Sequence, residues 1–130
     1  MQSKKAISAD MFLRAFANEW SRRTASAARE MDLAYGDSKS WTQLMKGKDG
    51  ILASVMRTLS EETSLALELR NEWYTVDALY IESTDSGVDN AAYPLRIHAL
   101  IEHENREDVE VEMWKLIFWR APLKVIIFYD

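Results

Sequence analysis

Three carboxylates in or beside apolar segments are the residues whose types and spacing could do chemistry in this chain. Glu102 and Glu104 stand two positions apart in LIEHEN, residues 100–105, and residues at that spacing on a strand point to the same face of a sheet. Asp77 lies inside the apolar segment TVDALYI, where a carboxylate is costly unless it is paired or binds a cation. Mg²⁺ and Mn²⁺ prefer oxygen ligands, so convergence of these residues predicts a divalent-metal site for phosphoryl transfer.

The elements that must position these residues follow from a change of hydrophobic period near residue 63. Before it, apolar residues at helical spacing predict an amphipathic helix from Ser8 to about Met31. A second helix is predicted from residue 51 to about Ser60, after a polar connection that contains one helical turn. After residue 63, alternating, β-branched and aromatic residues predict four strands, at residues 63–70, 73–82, 95–105 and 123–130. An acidic start followed by an apolar stripe predicts a helix at residues 106–121.

This order of elements predicts an α/β fold. An α-β-β-β-α-β core is expected to form three layers around a mixed four-stranded sheet, preceded by an extra N-terminal helix. The first two strands form an antiparallel hairpin, and the helical crossover sets the last two strands parallel. Length and a 48% hydrophobic content fit a single domain over residues 1–130, with residues 1–50 as a helical extension and residues 51–130 as the core.

The predicted hairpin brings a fourth carboxylate into consideration. If its turn is centred on Asn71 and Glu72, then Glu68 faces Thr75 and shares a sheet face with Asp77. Glu68 is therefore a candidate metal ligand beside Asp77. The alternative is an ordinary exposed strand residue.

Here the chain resembles the PD-(D/E)XK nuclease superfamily, the fold of many restriction and repair endonucleases. The resemblance covers about residues 51–130. It depends on the α-β-β-β-α-β order, on Asp77 in the second strand and on the acidic end of the third strand. It implies that Asp77 and Glu102 bind Mg²⁺ or Mn²⁺ and that a lysine assists the attacking water.

The chain departs from that family at the lysine. The family motif expects lysine at position 104, where this sequence has Glu104, and an E-x-E replaces the usual E-x-K. Some members move the lysine to the following helix, which makes Lys115 in EMWKLI the candidate catalytic residue. Its alternative is a surface contact with Glu112 three residues earlier, worth about 0.2–0.5 kcal/mol.

The carboxylates have structural alternatives as well. Asp77 could be a hairpin carboxylate that bonds to Thr75 or Arg70 across the sheet. Glu102 and Glu104 could be a solvent-exposed strand end.

Composition limits the classes of partner and compartment. A net charge of −5 disfavours general affinity for a phosphate backbone but allows a local basic patch. No apolar run approaches the roughly 20 residues of a membrane span, and the lack of cysteine fits the cytoplasm. Two functions follow as hypotheses: a metal-dependent nuclease acting on nucleic acid, DNA above all, or an inactive relative that serves as a regulatory or protein-interaction domain. A homodimer fits either.

Overall fold

The computed structural model describes residues 6–73, 76–82, 96–105 and 121–129. Their elements, in chain order, are α1 Ala9–Tyr35, α2 Ser38–Lys46, α3 Ile51–Thr63, β1 Leu67–Trp73, β2 Val76–Glu82, β3 Arg96–Asn105 and β4 Leu123–Tyr129. The strands form one sheet in the order β1-β2-β3-β4, antiparallel up to β3 and parallel between β3 and β4. This mixed α/β fold with its four-stranded mixed sheet confirms the prediction. The helix predicted at residues 106–121 lies outside the described residues except for its last position, Ala121, which is not helical.

Helix α1 begins as the sequence predicts and ends later. The side chain of Ser8 caps it by accepting a hydrogen bond from the Met11 N–H (3.1 Å). The helix continues to Tyr35 through a bend at Ala27, whose φ of −145° and ψ of 33° are not helical. Just before the bend, the hydroxyls of Thr24 and Ser26 each donate to a backbone carbonyl one turn back (both 3.0 Å). Such side-chain bonds are a known cause of helix bending.

Helix α2 is longer than the single turn that the sequence predicts. Asp37 caps it, because its carboxylate accepts the Ser40 N–H (3.2 Å), and nine helical residues follow. The amide of Asn71 on β1 donates to the Lys46 carbonyl at the end of this helix (2.8 Å). This hydrogen bond connects helix α2 to strand β1, so α2 is an ordered part of the fold.

The N-terminal helices share one hydrophobic core with the sheet. The residues of this helix-side core include Phe12 of α1, Met45 of α2, Leu52 of α3 and Tyr80 of β2. Tyr80 is fully buried, and its hydroxyl donates to the Leu52 carbonyl (2.7 Å). Helices α1 and α2 thus contribute to the packing of the core elements and do not form a separate appendage.

The opposite face of the sheet carries a second apolar cluster. Leu79 and Ile81 of β2 pack there with Leu100 of β3, and all three are at most 1% exposed. Ile126 of β4 packs against them. Strand β3 is consequently buried on both faces, as its nearly continuous apolar sequence predicts.

The predicted register of the hairpin is wrong. Trp73 pairs with Val76, so the centre of the hairpin register is three positions later than expected. Glu68 therefore faces Ile81 instead of Thr75. The hairpin turn moves because β1 continues through polar residues that gave no strand signal in the sequence.

Glu19 takes part in a contact between α1 and the start of α3. Its side chain is 11% exposed and bonds to Arg22 and Arg23, and Arg23 also donates to the Asp49 carbonyl (2.7 Å). Burial raises the pKa of Glu19, but hydrogen bonds from these arginines and from Ser54 outweigh it and lower the pKa to about 2.

We expect Glu19→Gln to lower the free energy of unfolding at pH 7 by about 1–2 kcal/mol, since a charge-assisted and largely buried pair is lost. The exposed pair of Asp10 and Arg14 on the same helix is the control, and Asp10→Asn should cost less than about 0.5 kcal/mol. Because its folded pKa lies below the unfolded value of 4.5, Glu19 stabilises the fold above pH 4.5 and loses this effect as the pH falls toward 2. Urea unfolding at several pH values measures both effects, and equal losses in the two variants would contradict the assignment.

Candidate functional site

The register of β2 and β3 brings Asp77 and Glu102 together. The two strands pair through Ala78 and Ile101, and one further step of the same register sets Asp77 opposite Glu102. Directly opposed residues of antiparallel strands have Cβ atoms about 4.5–5.5 Å apart on the same face. That face is the one that carries Leu79, two positions along from Asp77. Two of the predicted carboxylates are therefore neighbours on the sheet.

A hydrogen bond holds Asp77 against β3. Its carboxylate oxygen Oδ2 accepts the backbone N–H of His103, the residue after Glu102 (2.9 Å). Beyond the pair of Ala78 and Ile101, a side chain of β2 therefore accepts the next hydrogen bond from the backbone of β3. A carboxylate has about four lone-pair sites, so one accepted N–H leaves capacity for a cation or a water molecule.

Glu102 is fully buried. Its exposure is 0%, and it lies in the interior of the sheet, with β2 on one side and Ile126 of β4 on the other. The alternative of a solvent-exposed strand end is therefore wrong for this residue. Burial of a carboxylate is costly unless it is paired, protonated or bound to a cation. Next to it, Asp77 is only partly buried, so the pair connects the interior to the surface.

Glu68 does not join the pair. It is exposed, and it faces Ile81, four residues along β2 from Asp77, a separation of about 13 Å. The shared sheet face was predicted correctly, but the register that made the two carboxylates neighbours was wrong. The proposal of Glu68 as a metal ligand loses its basis.

The other two candidates are only partly covered by the structure. Glu104 belongs to β3, where its backbone lies opposite Phe128 of β4, and its side chain is outside the described part. Lys115 lies outside the described residues. Within the described residues, no group of three or more His, Asp and Glu side chains is arranged to hold a metal ion.

His103 contacts Asp77 through its backbone N–H, and Lys46 lies close enough to His103 to affect its charge; local sequence patterns revealed neither relation. His103 pairs with Ile127 of β4, on the face that belongs to the helix-side core. Burial lowers the pKa of His103; the Asp77 carboxylate acts in the opposite direction, and the charge of Lys46 lowers it further. Lys46 is 8% exposed in the last turn of α2. No local pattern in the sequence relates this turn to β3.

His98 belongs to a different part of the sheet. It is buried and its Nε2 lies 2.9 Å from the Glu82 carboxylate, which Arg96 also approaches (3.9 Å). The register shifts there, so that Ile81 pairs with Ile97 while Tyr80 pairs with Ala99. His98 is the extra residue of this bulge and is accounted for by its structural contact.

A comparison with protein-family models, with curated proteins and with solved structures finds no match for this chain. The described residues contain no helix long and apolar enough to cross a membrane. The functional argument therefore depends on the residues of the site.

We expect His103 to titrate below its ordinary value of 6.5 in the folded protein, because burial disfavours the imidazolium. The unfolded chain then binds more protons, so His103 contributes stability that is present above about pH 6.5 and lost as the pH falls through its lower, folded pKa. An NMR titration of the ring measures this pKa. In His103→Gln, the loss of unfolding free energy between neutral and mildly acidic pH should be smaller than in wild type. A folded pKa at or above 6.5 would contradict the prediction.

Proposed function

We propose that this chain is a divalent-metal-dependent nuclease domain. The observations that carry the proposal are the full burial of Glu102 and the position of Asp77, which follows the Ala78–Ile101 pair and accepts the N–H of His103, the residue after Glu102. A protein that keeps a carboxylate in such a place, beside a second one, must offset the cost of burying negative charge. A divalent cation offsets it for both residues at once.

The donor set suits Mg²⁺ or Mn²⁺. Both residues offer carboxylate oxygens, and one or two carboxylates suffice for Mg²⁺ when water and substrate phosphate complete the coordination. Asp77 and Glu102 would hold the ion, which when bound neutralises charge on the phosphodiester and lowers the pKa of a water molecule. Asp77 is oriented for this role by the His103 N–H, and Lys115 is the proposed residue that positions the attacking water.

The substrate class follows from the resemblance of the sequence to the PD-(D/E)XK superfamily. We propose nucleic acid, DNA above all, as the partner and the cytoplasm as the compartment. Because the chain has a net charge of −5, productive binding would depend on the metal and on local basic residues, and would weaken steeply with salt.

Mn²⁺ titration by calorimetry tests the site. We expect wild type to bind Mn²⁺, and Asp77→Asn to weaken binding at least about tenfold. Glu68→Gln is the matched control, an exposed strand carboxylate about 13 Å away on the same face, and it should leave the affinity unchanged. Bound metal should also stabilise the fold, by about 2.7 kcal/mol at a hundredfold excess over Kd.

Cleavage of DNA then tests the activity on the same variants. Wild type should cut with Mg²⁺ or Mn²⁺ and stop with EDTA, and Asp77→Asn should lose activity while it stays folded. In Lys115→Ala, turnover should fall while metal affinity stays nearly unchanged. Undetectable Mn²⁺ binding by wild type would contradict the metal site. Mn²⁺ binding without cleavage of single- or double-stranded substrates would favour the alternative function, an inactive relative that serves as an interaction domain.

One observation points to a surface for protein interaction, which is compatible with either function. Within the described part of the sheet, β1 and β4 are the edges, and they differ in character. Strand β1 carries charged residues at alternate positions, whereas β4 has Lys124 as its one charge in the sequence LKVIIFY. A groove of about 470 Å³ runs beside β4, bordered by the exposed Leu13 of α1 and by Phe128. Apolar edge strands without protective charges are surfaces for pairing with another strand.

We therefore propose a homodimer through antiparallel pairing of two β4 edges. A two-fold axis at Ile126 would set Lys124 opposite a phenylalanine, so that no like charges meet. Wild type should sediment as a concentration-dependent dimer, and Phe128→Lys should make it monomeric. The control is Leu33→Lys, which changes an exposed leucine of α1 that does not line the groove. A monomeric wild type at high concentration would contradict the dimer.

A further inference from the structure

A second cavity lies on the helical side of the protein, away from the carboxylate pair. Its volume is about 400 Å³. Four aromatic rings line it: Trp20 and Tyr35 of α1, Trp41 of α2 and Phe128 of β4. Neither the nuclease proposal nor the packing of the sheet uses this space.

Three of the rings contact one another at nearly right angles. Trp41 stands edge to face against Tyr35, with ring centroids 5.1 Å apart at 90°, and against Trp20, at 6.1 Å and 78°. A flat nucleobase is held best between parallel rings, as in stacking platforms. The aromatic rings that line this cavity attract a cation placed over any face they leave open, because the face of an aromatic ring carries negative charge.

The polar lining supplies negative charge. Asp32 of α1 borders the cavity and is exposed, and the described part of the chain shows no ion pair of its carboxylate. The bend of α1 at Ala27 lies between Trp20, in the first half of the helix, and Asp32 and Tyr35, in the second half. The bend therefore changes the direction of the part of α1 that carries Asp32 and Tyr35.

From these observations we infer that the cavity binds an organic cation that carries a quaternary ammonium group. Aromatic faces and one carboxylate attract a cation that has no N–H to donate and a low cost of desolvation. A neutral apolar molecule of the same shape would gain the contact area without the electrostatic attraction. The volume exceeds that of the ammonium group alone, so the cation can carry a short substituent such as the hydroxyethyl arm of choline.

Calorimetry with choline and with dimethylbutanol, its neutral carbon analogue, tests the inference. The 130-residue chain should bind choline at least about fivefold more tightly than the analogue, since cation–π attraction disappears when carbon replaces nitrogen. Acetylated trimethyllysine is the second probe. Tighter binding of choline would indicate a free small cation as the source of the group, and tighter binding of trimethyllysine a modified side chain.

Variants separate the charge from the rings. Asp32→Asn and Tyr35→Leu should each weaken choline binding by about three- to tenfold, and Tyr35→Phe should retain it because the ring remains. Glu30→Gln removes a nearby carboxylate of the same helix that does not line the cavity, and it should have no effect. Since Asp32 and Tyr35 are both exposed, these variants should fold, which far-ultraviolet circular dichroism verifies.

Two results would overturn the inference. Equal affinity for choline and its neutral analogue would reduce the cavity to an apolar recess, and no binding of either cation would remove the site. Neither result bears on the Mn²⁺ site, because Asp77 and Glu102 lie on the other face of the sheet.

Discussion

The alignment of β2 against β3 is the constraint on which the rest of the molecule depends. Both strands bury side chains on both faces: Tyr80 and Ile101 toward the helices, and Leu79 and Leu100 on the opposite face. A slip of one residue would exchange the two sets of side chains and would move every apolar group to the wrong core. Two-sided burial therefore determines the register, and the register determines that Asp77 faces Glu102.

The same constraint divides the chemistry of the protein between two faces. The helices pack on one face, where His103, Lys46 and the aromatic cavity lie, and the carboxylate pair belongs to the other. The Asp77 carboxylate nevertheless contacts a residue of the helix side, because it accepts a hydrogen bond from the backbone N–H of His103. A charge at the carboxylate pair can thus influence the protonation of a group in the helix-side core.

Local patterns in the sequence determined most of the elements. The Ser8 cap, the helical stripes and the β-branched segments predict α1, α3 and the four strands, and the crossover rule predicts the parallel pairing of β3 and β4. The sequence also singled out Asp77 and Glu102, because carboxylates inside apolar strands are unusual wherever the partner strand lies. Alternation combined with an assumed hairpin register placed Glu68 on the face of Asp77, which is correct although that register is wrong.

Only the tertiary structure decided which of these carboxylates meet. The sequence between β1 and β2 has no strong turn signal, so the pairing of the two strands is set by packing, and Glu68 lies opposite Ile81, away from Asp77. The burial of Glu102, the approach of Lys46 and the perpendicular rings around Trp41 likewise arise from elements far apart in the chain. A periodicity reports the face on which a residue lies, but only the packing of whole elements determines what stands opposite it.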